Sequence, residues 1–183
     1  PMSTLIRSAG LTNFAEIAQQ CGLDPVALVR TVGLPAKCLT DPDLKIDTNA
    51  VVRLLEMAAR DAAEPAFGLR MGESRRLSNL GPLGLLLRDE PSLRHALDAI
   101  VRHIRVHNEA LVIRIEEVDK LVLIREEFAM GLSEAKRQAA ELAMAVTYRI
   151  LSLFMGAAWR PRLVCFSHSA PAHRATHHRV FGD

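Results

Sequence analysis

At 183 residues the chain has the length of one domain, enough to bury about two-thirds of the surface its unfolded form would expose. Apolar residues make up 49% and charged residues 24%, which excludes a disordered chain; the 23 basic side chains against 21 acidic ones are too small a surplus for the field that non-specific nucleic-acid binding needs. Cys21, Cys38 and Cys165 form no CxxC pair and no even framework, so a disulfide scaffold and a zinc ribbon are disfavoured and a reducing cytoplasm fits.

The chain opens with neither a membrane-length apolar run nor a basic-then-apolar signal segment, and Pro1 ahead of Met2 reads as a tag-cleavage scar. Residues 13–32 carry Phe14, Ile17, Ala18, Val26, Leu28 and Val29 at helical spacing, interrupted at Gly22 and restarted at Asp24-Pro25, a cap followed by proline at the first helical position. Two short helices are expected there. Their arrangement has helix-turn-helix spacing, but Arg30 alone faces Glu16 and Asp24, so an ordinary helical hairpin is the better reading. Residues 34–46 read as a loop. A third helix, capped by Asp47 or Thr48, runs to about Ala62 with Val51, Leu54, Leu55, Ala58 and Ala59 as its stripe.

A short helix is expected over 65–71 and another, buried, over 80–87. Leu93, Leu97, Ile100 and Ile104 make 91–107 a helix, with Ser92 as a cap. Residues 110–117 and 120–128 then alternate apolar with polar, the pattern of an antiparallel hairpin with one wet face, on which Glu116, Glu117, Glu126 and Glu127 are expected to be solvated. Ser133 is placed as the cap of the longest helix, running to about Met155 and apolar on more than one side. A strand over 163–167 and a histidine-bearing loop over 171–179 complete the chain. The result is an α+β fold: a helical N-terminal part packed with a small, mainly antiparallel sheet and a long central helix. An apolar run beginning at Val180-Phe181 suggests that the natural protein continues.

Chemistry-bearing motifs are few. Cys165, His168, His173, His177 and His178 could supply a metal, but their spacing lacks the paired ligands of a structural zinc site, and Cys165 would face away from His168. There is no phosphate loop, no GxSxG elbow and no HExxH, so neither an enzyme nor a bound cofactor is expected. His103 and His107, four apart at a helix end, complement the helix dipole and also border a place where a ligand could wedge between helix and hairpin. Tyr148, the only tyrosine, needs a hydrogen-bond partner, and nearby methionines would let a cavity adapt. His103, His107, Phe128, Met144 and Tyr148 are therefore the candidate ligand contacts.

In order along the chain, Gly22-Leu23-Asp24, Val32-Gly33-Leu34, Leu54-Leu55-Glu56-Met57-Ala58-Ala59, Phe67-Gly68-Leu69-Arg70-Met71-Gly72, Leu80-Gly81-Pro82-Leu83-Gly84, Trp159-Arg160-Pro161 and Phe166-Ser167-His168 with Pro171 give the chain a family likeness. Together they resemble the N-terminal effector-binding domain of AraC/XylS-type transcription regulators of the ornithine-regulator-like branch. That resemblance implies a single regulatory domain over residues 2–183, a small-molecule effector, and DNA contacted only through a helix-turn-helix domain absent from this chain. It also implies a cytoplasmic protein and a homodimer. A metal-binding domain or small enzyme built on the C-terminal histidines, and a pure dimerisation module, are the alternatives.

Overall fold

The computed structural model describes residues 4–129 and 135–182. The first strand, β1 (Leu5–Arg7), pairs antiparallel with β2 (Lys45–Asp47), Ile6 opposite Ile46. Between them lie helices α1 (Phe14–Gln20) and α2 (Pro25–Thr31), the latter capped by the Asp24 side chain, which accepts from the N–H groups of Val26 and Ala27. The helical hairpin of the sequence reading is therefore present. β2 lies inside the expected loop 34–46 and its continuation, and β1 was not anticipated at all, because three-residue strands carry too little alternation to register.

α3 (Thr48–Asp61) is capped by Asp47 and buries Val51, Leu54, Leu55, Ala58 and Ala59 against α1, α2 and α4 (Phe67–Glu73). Phe14 and Phe67 meet at the centre of this half with ring centroids 5.7 Å apart. α5 (Pro82–Arg88) and α6 (Leu93–His107) follow, and the Ser92 side chain accepts from the His95 N–H at the start of α6. β3 (Leu111–Val118) and β4 (Leu121–Phe128) form the expected hairpin, closed by Asp119-Lys120 with Asp119 in the left-handed region, where a short polar side chain is tolerated. The sheet is not one small sheet but two separate antiparallel pairs among the described residues, with an isolated bridge from Ile6 of β1 to Asn108, ahead of β3.

The longest helix, α7 (Arg137–Met155), touches α3, α4, α6 and β4 and so occupies the centre. Ser133 lies outside the described residues. α4 and α7 approach to backbone contact: a Cβ at Gly68 would stand 2.1 Å from the Gln138 carbonyl oxygen, and one at Gly72 would stand 2.4 Å from the Ala145 Cβ. Gln138 locks the crossing, accepting from the Gly68 N–H at 2.8 Å and donating to the Pro65 carbonyl at 3.0 Å.

Two expectations fail near the C-terminus. Residues 163–167 form no strand; Val164, Phe166 and His168 face inward with strand-like alternation, but they pack on α7 and its neighbours with no sheet edge beside them. Residues 171–179 are not wholly loop, since α8 (Ala175–Phe181) begins there and buries Val180 and Phe181 against Leu69 and Ala145. No helix among the described residues is long and apolar enough to cross a membrane.

Candidate functional site

Where α3, α6, the hairpin and α7 converge, their aliphatic side chains do not fill the space. A cavity of about 90 Å³, partly open to solvent, is walled by Val51 and Leu55, Ile100 and Ile104, Ile113, and Val146 and Ile150. Leu80 and Leu83 of the α5 region also line it, and Phe128 is the one phenyl ring on its wall among the described residues.

Polar groups reach the wall at a few points. Arg75, in the turn after α4, is 5% exposed. Its guanidinium donates to the carbonyls of Ala9 and Gly10, both at 2.7 Å, and to that of Met71 at 3.3 Å. Burial pulls its pKa down to about 10, which leaves it charged at neutral pH. Thr48, 1% exposed, carries a hydroxyl with no hydrogen-bond partner among the described residues. Arg76, Asn79 and Asn108 complete the polar wall.

His107 ends α6 with its ring on the cavity. Its Nδ1 lies 3.5 Å from Nη1 of Arg7; a guanidinium can only donate, so Nδ1 is the acceptor and Nε2 carries the proton. Burial first, and then the charges of Arg7, Arg75 and Lys45, push its pKa down to about 4, so the imidazole is neutral. Arg7 itself is paired with Asp43.

Three of the hairpin carboxylates are exposed ion-pair partners: Glu116 with Arg125, Glu117 with Arg94 and Glu127 with Arg114. Glu126 departs from the expectation of solvation. Its register partner is Ile113, its Oε1 accepts from the Thr147 hydroxyl, and its Oε2 is buried without a partner among the described residues. Desolvation raises its pKa to about 7, against a smaller lowering by Thr147. Alternation could have placed it inward, because Glu126 shares a face with Ile124 and Phe128. Arg75 and Thr48 carry no comparable signal in the sequence.

Of the five residues singled out from sequence, His107 and Phe128 line the cavity. His103 is exposed on α6. Met144 and Tyr148 lie with Val180 and Phe181 in a separate cluster; the Tyr148 ring stacks on Trp159 at 5.9 Å and meets Phe181 edge-on at 5.7 Å. The C-terminal histidines divide: His173 and His178 are exposed, as is Cys165, whereas His168 and His177 turn inward to the fully buried Glu141. Glu141 Oε1 lies 3.1 Å from His177 Nε2, 3.4 Å from His168 Nε2 and 3.0 Å from Arg137 Nε. No group of three or more His, Cys, Asp or Glu residues among the described ones is arranged to hold a metal ion.

Comparison with known proteins follows the same lines. Residues 22–183 match a family model described as the arabinose-binding domain of AraC transcription regulator, N-terminal. The chain is 28% identical over 185 residues to the HTH-type transcriptional regulator VirS of Mycobacterium tuberculosis, covering 99% of this chain and 54% of that protein. It is 26% identical over 167 residues to the ornithine utilization regulator of Pseudomonas aeruginosa, covering 91% of this chain and 49% of that protein. The chain thus spans about half the length of the curated relatives it matches.

Proposed function

Because the chain belongs to the family of arabinose-binding N-terminal domains of AraC transcription regulators, we propose that its cavity holds a small-molecule effector whose binding sets how an attached DNA-reading segment engages a promoter. The observation that carries this reading is the cavity itself: a largely apolar hollow, partly open to solvent, onto which a few polar groups converge. Its wall is also mechanically connected. α7 presents Val146, Thr147 and Ile150 to the hollow, while Glu141, Met144 and Tyr148 of the same helix hold the C-terminal segment. An effector that fits one position of α7 better than another would shift the balance between them by that difference in affinity.

On this reading the chain is one regulatory domain of a cytoplasmic regulator that works as a homodimer, and reading of DNA falls to another part of the protein. The near-neutral charge supports that division. Of the sequence-derived contacts the proposal retains His107 and Phe128 and adds Arg75 and Thr48. The test is a thermal-shift screen of metabolites on this chain, followed by repetition with Ala143→Phe, which places a ring in the hollow. At least one compound is expected to raise Tm in the parent and to lose that effect in the variant. A hit that stabilises A143F equally well would place binding elsewhere.

A further inference from the structure

The polar end of the cavity carries a charge without a counter-ion. Arg75 has five N–H donors and spends three of them on carbonyl oxygens, leaving one on each Nη. Among the described residues it has no carboxylate partner, unlike Arg7, which has Asp43. Arg76, an exposed residue, also borders the hollow. The field there is felt by His107, whose imidazole is kept neutral partly by Arg7, Arg75 and Lys45. A buried cation is ordinarily paired, and removing its partner leaves a costly uncompensated charge.

The remainder of the wall has no such features. Val51, Leu55, Ile104 and Val146 are aliphatic, and Phe128 offers a phenyl face for stacking. Glu126 is the carboxyl closest to this wall in the hairpin register, but Thr147 holds one of its oxygens and a pKa of about 7 leaves it only half ionised at neutral pH. A cationic guest would meet Arg75 with little to offset it.

Resting on the effector reading above, we infer that the effector is an amphipathic anion, a carboxylate or comparably small anionic group on an aliphatic body, with its head on the two unused Nη–H donors of Arg75. Two donors from one guanidinium suit the two oxygens of a carboxylate, a geometry stronger and more selective than a single neutral hydrogen bond. The unpartnered Thr48 hydroxyl on the same wall supplies a second polar contact for an oxygen of the guest.

Octanoate, 1-octanol and octylamine share a tail and differ in the head, so isothermal titration of this chain with each separates head from body. Octanoate is expected to bind at least tenfold more tightly than the other two. In Arg75→Gln that preference should collapse to within a factor of about three. Since Arg75 also ties down Ala9 and Gly10, Arg75→Lys serves as the companion variant: it keeps the charge, loses the fork, and should retain a reduced preference for octanoate. Octylamine or octanol binding as well as octanoate would overturn the anionic assignment and leave the effector reading standing. If none of the three binds, the amphipathic anion is overturned; only an additional failure of the whole metabolite screen removes the effector reading too.

Discussion

Glu126 and His107 titrate in opposite senses, and replacing one of them should expose the other. The Glu126 carboxyl is raised from 4.5 to about 7 by burial, so the folded state holds its proton more tightly than the unfolded chain. Its contribution to stability is fully present below about pH 4.5 and is lost as pH rises through 7, with a ceiling of about 3 kcal/mol. His107 is lowered from 6.5 to about 4, so here the unfolded chain binds the proton more tightly. Its contribution is present above about pH 6.5 and is lost as pH falls through 4, again with a ceiling of about 3 kcal/mol. Between pH 4.5 and 6.5 the two slopes offset each other in the parent protein. Glu126→Gln removes the ionisation but places an amide N–H₂ where the unpartnered Oε2 lies, a cost of about 1 kcal/mol. The variant should therefore be about 1–2 kcal/mol more stable than the parent at pH 8 and about 1 kcal/mol less stable at pH 4.5. Urea titrations followed by circular dichroism at both pH values measure the crossing. A variant equally destabilised at both would show that the Glu126 carboxylate is solvated, and the burial argument would fail.

Other substitutions probe separate links. Gly68→Ala drives a methyl into the Gln138 carbonyl and should cost about 3 kcal/mol, seen as a lowered urea midpoint; an unchanged midpoint would mean that the α4–α7 contact is looser than described. Glu141→Ala leaves Arg137, His168 and His177 facing an empty buried site, with an expected loss of about 3–5 kcal/mol. Limited proteolysis should then cut first within 156–174, and cleavage elsewhere first would refute the role of Glu141 in holding that segment. Asp24→Ala removes the acceptor for two N–H groups at the start of α2 and should cost about 1 kcal/mol, with Asp24→Asn recovering most of it.

The helices were readable because each long one carries its own signal. Asp24, Asp47 and Ser92 cap where spacing placed them, and the stripes of α3 and α6 are the faces that became buried. The β3–β4 hairpin was equally legible from alternation. What escaped depends on partners distant in sequence. β1 is a strand because β2, some forty residues later, lies beside it, whereas 163–167 has the alternation of a strand and no edge to join. The cavity has the same character. His107 and Phe128 could be proposed from their positions at element ends, but Arg75 becomes a wall residue only because the carbonyls of Ala9 and Gly10 draw it inward. Met144 and Tyr148 could not be assigned a side from sequence, since α7 is apolar on two faces and either could have met the hollow.

The glycines of α4 give the hollow walls of unequal stiffness. With Gly68 set directly on the Gln138 backbone and Gly72 on the Ala145 methyl, the α4–α7 pair has little flexible side-chain material at these two contacts to absorb a displacement, and it should behave as an anvil. The opposite side is α5, α6 and a two-stranded ribbon, joined to their surroundings through side chains that can change rotamer. Compliance therefore belongs to that side, and guests of different girth would be accommodated by its outward give while the α4–α7 crossing keeps its shape.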